Sequence, residues 1–215
     1  MKRRLGVLIS GGGSNLQALI DAARHADYPA EIVHVISNVR DAHGLTRARE
    51  AGLPTAVIDH RAFGADRAAF EAQVDAALRD ANVELVALAG FMRVLTDGFV
   101  QAWNGRMLNI HPALLPSFKG LHTHARALEA GVAIHGCTVH WVSPGVDEGA
   151  ILGQAAVPVA PDDTAETLGA RVLAMEHRLY PACVALAASG RAILQDGRSL
   201  IDGGPGPLSL FWSPG

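Results

Sequence analysis

Three side chains have the types and spacing for acyl-transfer chemistry: Asn109 and His111 in the run Leu108-Asn109-Ile110-His111-Pro112, and Asp147 in Val146-Asp147-Glu148-Gly149. Residues two apart on a strand point to the same face. Asn109 and His111 would therefore aim an amide donor and an imidazole at one spot. An amide N–H stabilises an oxyanion, a histidine moves protons near neutral pH, and a carboxylate beside it favours the imidazolium. That set suits attack by an amine on a carbonyl. Pro112 has no N–H to extend a ladder and restricts the residue before it, so it marks a strand end. The pair is thus expected at the carboxyl edge of a sheet, where open α/β folds bind ligands. A histidine after a strand and an acid in a glycine-flanked turn also have structural uses. The chain lacks a Gly-x-Ser-x-Gly elbow, so a covalent acyl-enzyme is not expected.

A second motif is Ser10-Gly11-Gly12-Gly13-Ser14-Asn15, which follows an apolar run and precedes a helical pattern. Glycines let a backbone approach an anion, and the free N–H groups of a helix N-terminus favour negative charge. No Lys-Ser/Thr pair follows, and Leu16 stands where a dinucleotide loop needs its third glycine. The next strand ends in Ser37-Asn38, without a carboxylate for a ribose. A phosphorylated mononucleoside-like substrate fits better than NAD or ATP. The alternative is a tight turn whose glycines serve geometry and whose Ser14 caps the helix.

Other candidates carry less. His122, His124, His135 and His140 invite a zinc reading, but no HExxH pattern or Cys/His cluster accompanies them, and no metal is expected. Cys137 and Cys183 stand apart and form no CxxC pair, which fits two buried thiols. Gly90 to Leu95 follows an apolar strand and could offer backbone to a flat ligand or simply cap the sheet.

These residues need a scaffold, and the periodicity supplies an alternating one. Strands are expected near 4–10, 31–37, 55–58, 83–89 and 106–111, with helices near 14–26, 45–51 and 67–80 between them. Two β-rich runs, 135–142 and 150–159, would add antiparallel or mixed strands. Asp163 and Glu166 resemble a capping box opening a helix to about Ala188, interrupted or kinked at Pro181. A terminal hairpin follows, and 203–215 reads as a flexible tail. The expectation is one α/β domain over residues 1–215, with a mostly parallel central sheet and helices on both faces.

Composition narrows the partners. The 215 residues are 49% hydrophobic and 18% charged with a net charge of -3, enough for one core and without a basic field for nucleic acid. No segment approaches the about 18 apolar residues of a membrane span. The basic start, Met1 to Leu5, leads into a short run broken by Ser10 and glycines, unlike a signal peptide. A cytoplasmic protein acting on small molecules is expected, as a monomer or homodimer.

The segments ISGGGSNLQALIDA, SNVRDAHGLTRAREAG, LAGFMRVL, LNIHPALLPSFKGLHTHARAL, HGCTVHWV and VDEGAILGQ, in this order, resemble the phosphoribosylglycinamide formyltransferases across about residues 5–195. The Asn-x-His-Pro and Asp elements are shared by a broader group of 10-formyltetrahydrofolate enzymes; the Gly-Ser-Asn loop is more particular to this one. The resemblance implies a Rossmann-like formyltransferase fold and metal-free transfer of a formyl group from 10-formyltetrahydrofolate to the amine of glycinamide ribonucleotide, in purine (IMP) biosynthesis. Carried over by position, it implies reaction roles for Asn109, His111 and Asp147. Nucleotide contacts fall on Gly13, Ser14, Asn15 and Glu176. Folate contacts fall on Arg67, Met92, Arg93, Val94, Leu95, Asn109, Ser143, Pro144, Gly145, Val146 and Asp147. Leu173 stands where these enzymes often carry Gln, so no polar ribose contact is expected there. Formyltetrahydrofolate hydrolases carry a further N-terminal domain and methionyl-tRNA formyltransferases a further C-terminal one, and neither of these relatives is the expected reading. A non-catalytic binding module would keep the glycine loop without needing the Asn, His and Asp.

Overall fold

The computed structural model describes residues 1–202 and 204–212. The first strand, β1 (Arg3–Ile9), is apolar on both faces because both are covered. Leu5, Val7 and Ile9 enter one core, while Leu8 enters a second core on the opposite face. The same alternation runs through β2 (Ala30–Ser37), β4 (Leu85–Leu88) and β5 (Met107–His111), whereas the short strand β3 (Thr55–Val57) packs only Ala56 on the second core and leaves Val57 exposed. α1 (Ser14–Ala23), α2 (His43–Glu50) and the later helix α6 (Ala165–Ala188) cover the first face. α3 (Arg67–Asp80) and α4 (Asp97–Ala102) cover the second. α5 (Thr123–Glu129) places Ala127 in the first core.

β6 (Ile134–Trp141) runs antiparallel to β5, β7 (Ile151–Pro158) runs antiparallel to β6, and β11 (Leu208–Phe211) lies parallel to β7. The eight strands lie in the order β11-β7-β6-β5-β4-β1-β2-β3. β8 (Ala192–Gln195), β9 (Arg198–Ile201) and β10 (Gly204–Pro205) form a separate antiparallel sheet. From the neighbouring strands β1 and β4 the chain leaves toward opposite faces, which opens a crevice at their carboxyl ends. The buried Tyr180 hydroxyl of α6 reaches the carbonyls of Leu88 at 2.9 Å and Leu108 at 3.1 Å, tying β4 and β5 to the helix beneath them.

Several details differ from the sequence expectation. The cap of α6 is Thr164, whose hydroxyl accepts from Thr167 N–H while the Thr167 hydroxyl accepts from Thr164 N–H. Asp163 instead holds Arg171 through two bonds of 2.8 and 2.9 Å, and Glu166 takes no part in the capping pair. Pro181 lies inside an unbroken helix, its own carbonyl accepting from Tyr28 at 2.8 Å. Ser14 is the first helical residue of α1 and not its cap; that position falls to Gly13 in the left-handed region. Part of the expected loose tail is sheet: β11 pairs with β7, and Trp212 N–H continues the pairing to Ala156 O at 2.9 Å. Residues 203 and 213–215 lie outside the described residues. α4, α5 and a 3-10 turn over His60–Phe63 were not expected, being short and without a full amphipathic period. Among the described residues no helix is long and apolar enough to cross a membrane.

Candidate active site

Asn109 and His111 share the face of β5 opposite Leu108 and Ile110, which enter the α6-side core. Across the antiparallel pairing, Asn109 stands opposite His140 and His111 opposite Thr138. Asp147 arrives from the loop after β6 in the left-handed backbone region, at φ 54°. Gly149 lets that loop return closely, since a Cβ there would lie 1.6 Å from the Trp141 carbonyl. His111 Nδ1 meets Asp147 Oδ2 at 3.3 Å, and His111 Nε2 donates to Phe118 O at 3.0 Å. Both ring nitrogens thus face oxygen atoms. The imidazole is 5% exposed, so its protons are shielded from bulk water. Asp147 Oδ2 also accepts from Gly120 N–H at 2.9 Å, which ties the 143–149 loop to the segment after β5.

His140 orients Asn109. Its Nδ1 donates to the Trp141 carbonyl at 3.0 Å, leaving Nε2 to accept from Asn109 Nδ2 at 3.1 Å. Burial holds the His140 pKa below that of a free imidazole, which keeps this nitrogen an acceptor. One amide proton of Asn109 is used there and the other remains for a ligand. Thr138, opposite His111, accepts from Leu115 N–H at 3.0 Å and donates to Ala113 O at 2.6 Å. These bonds fix the chain just past the strand end.

The glycine loop lies at the carboxyl end of β1. Residues Ser10 to Asn15, with Ala89, Gly90 and Met92, line a cavity of about 230 Å³. Asn15 turns its side chain inward, donating from Nδ2 to Glu176 Oε2 at 2.6 Å, and its backbone N–H belongs to the same loop. Glu176 is buried, and burial raises its pKa although the Asn15 bond opposes this. Loop and helix α6 therefore meet at the pair predicted to hold the nucleotide.

On the opposite lip, Arg67 begins α3 and donates to Val94 O at 2.7 Å. Glu71, one turn further, accepts from Thr96 N–H at 2.8 Å and from the Thr96 hydroxyl. The segment Met92–Leu95 is thereby braced against α3 with Met92 and Val94 exposed and Leu95 buried. Ser10 joins this segment to the glycine loop: its Oγ accepts from Met92 N–H at 2.7 Å and donates to Asn38 Oδ1 at 2.6 Å. The Ser143–Asp147 loop stands across the crevice with Val146 exposed. Leu173 is half-buried and adds no polar group.

The sequence reading therefore named residues that meet at one end of the sheet, but it missed His140 as the partner of Asn109 and Ser10 as the link between the two loops. The first follows only from the β5–β6 register, and the second from β1 and β4 being neighbours. His124 and His135, weighed as metal ligands, instead stack edge to face with centroids 5.3 Å apart.

A doubly wound sheet with an anion-type loop and an Asn-His-Asp group at its carboxyl edge defines a class, and the formyl transferase family model matches residues 3–184. The chain belongs to the formyl transferase family. It is similar to phosphoribosylglycinamide formyltransferase of Haemophilus influenzae, at 44% identity over 97% of this chain and 98% of that one. The solved phosphoribosylglycinamide formyltransferase of Coxiella burnetii superposes with a TM-score of 0.93 at 42% identity, over 98% of this chain and 100% of that one. The human trifunctional purine biosynthetic protein adenosine-3 is 52% identical over 88% of this chain. The chain spans between 14% and 20% of the length of the trifunctional relatives it matches, 19% in the human case.

Proposed function

We propose that the protein transfers a formyl group from 10-formyltetrahydrofolate to the amine of glycinamide ribonucleotide, a step of purine biosynthesis. The observation that carries this reading is the convergence of Asn109, His111 and Asp147 at the end of β5, with Asp147 Oδ2 3.3 Å from His111 Nδ1. The formyl folate supplies a carbonyl carbon open to attack and a nitrogen able to depart.

The N–H groups of Gly13, Ser14 and Asn15 receive the phosphate, and Glu176 receives the ribose or glycinamide portion. Arg67, Met92, Arg93, Val94 and Leu95 hold the folate from one side. The Ser143-Pro144-Gly145-Val146-Asp147 backbone receives the pterin from the other. As the new carbon–nitrogen bond forms, the free amide proton of Asn109 and the protonated ring of His111 stabilise the oxyanion. The Nδ1 contact to Asp147 is the longer of the two ring contacts, so this edge yields to the substrate. The attacking amine loses a proton, the carbon–nitrogen bond to folate breaks, and His111 delivers a proton to the departing nitrogen. Asp147 keeps the ring charged and can order a proton-relaying water.

The test is tetrahydrofolate release from 10-formyltetrahydrofolate by the purified protein, with and without glycinamide ribonucleotide. Release that requires the nucleotide is expected. Equal release in water alone would make the protein a hydrolase, and no release in either case would leave a binding module.

A further inference from the structure

The glycine loop is gripped from behind. Gly44 N–H donates to Gly11 O at 3.0 Å, and Arg47 Nε donates to Gly12 O at 3.0 Å, both from α2. The backbones touch closely: a Cβ on Gly13 would lie 2.6 Å from Gly44 Cα, and one on Gly44 would lie 3.3 Å from Gly11 O. In a trans peptide the carbonyl and the following N–H point in opposite directions. Holding the Gly11 and Gly12 carbonyls therefore turns the N–H groups of Gly12 and Gly13 away from α2. On that side lies the cavity lined by Ser10 to Asn15, Ala89, Gly90 and Met92, to which α2 contributes no residue. The Arg47 guanidinium also reaches Gln17 Oε1 at 3.5 Å, so one side chain spans the turn and the start of α1.

We propose that Arg47 is a positioning residue for nucleotide affinity, fixing the Gly12–Gly13 peptide so that its N–H faces the substrate phosphate. The inference rests on the nucleotide reading given above and adds where the loop's order comes from. Three consecutive glycines have the largest conformational freedom a chain can have. An unbraced triplet would have to be ordered by the anion itself, at a cost in affinity. Arg47 and Gly44 have already imposed that order, and a cation on the carbonyl side polarises the same peptide toward stronger donation.

The test compares Arg47→Met with Arg47→Gln in the full chain. Both keep the apolar stem; Gln places an N–H donor as many bonds from the backbone as Arg Nε, without the charge, and Met has no donor. Each variant is assayed with glycinamide ribonucleotide and with its dephosphorylated nucleoside. For Arg47→Met, KM for the nucleotide rises about ten-fold or more, with kcat, folate KM and the nucleoside rate unchanged. Arg47→Gln keeps most of the preference for the phosphorylated substrate. The inference is overturned if Met loses nothing, if it loses the same factor on both substrates, or if Gln falls as far as Met. Should Arg47→Met fail to fold, a ten-fold loss of preference in Arg47→Gln overturns it alone. A wild-type chain that does not distinguish the two substrates would instead overturn the reading of the loop as a phosphate site.

Discussion

Asn109 has two amide protons, and the bond to His140 commits one of them, so the side chain presents a single orientation to any substrate carbonyl. Removing the acceptor should free the amide to rotate. His140→Leu is expected to lower kcat about ten-fold with both KM values little changed, while His140→Gln, which can accept the same proton, recovers part of the loss. Steady-state kinetics of the pair checks this; equal losses would show that packing and not the hydrogen bond matters. His111→Ala should lower transfer by about 10²- to 10⁴-fold while calorimetry shows nucleotide binding retained, because the glycine loop lies on a different strand. Near-full activity in that variant would remove the role assigned to the imidazole. Asn109 and His111 were legible because a two-residue spacing fixes their shared face whatever the fold. His140 was not, because its role arises from a register between strands, and no local spacing encodes which residue of β6 stands opposite Asn109.

The helices at the rim of the crevice act through their first turns. Asp66 caps α3 by accepting from Ala69 N–H at 2.9 Å, and the next residue, Arg67, reaches Val94. Asp66→Ala should therefore cost about 1 kcal/mol of stability and also raise KM for the folate while leaving that for the nucleotide unchanged. A thermal melt and two substrate titrations separate these effects; an unchanged folate KM would detach the cap from the site. The range of α3 was readable to the residue, since Phe70, Val74 and Leu78 repeat at helical spacing and are buried as that spacing requires. α4 and α5 were unreadable for the converse reason, having six and seven residues and being held by their surroundings rather than by a pattern of their own. β11 escaped because its parallel partner, β7, is distant in sequence and a run of Gly and Pro precedes it.

Over the whole molecule, buried and half-buried histidines should govern the response to acid. Burial pushes His135 down to about 4, and lowers His34, His124, His140 and His177 in the same direction. The unfolded chain then binds more protons than the folded one below an ordinary histidine pKa near 6.5. Stability should be complete above that pH and fall as pH drops from about 6.5 toward 4. Glu176, whose raised pKa lets the folded form take up a proton, opposes the trend over part of the range. Melting temperatures across pH 4–8 test this (a range chosen to bracket about 6.5), and His135→Phe should flatten the acid side; an unchanged profile would show that the cluster is not responsible. The sheet order also carries a kinetic consequence. Leu5 pairs with Leu85, so β1 and β4 meet only after a long intervening segment has closed, whereas β6 and β7 are joined by a short loop. Non-local parallel pairings form slowly because chain entropy is lost before contacts repay it. The loops that line the substrate crevice can each be built early on their own strands, but the gap between them comes into being only at that late closure.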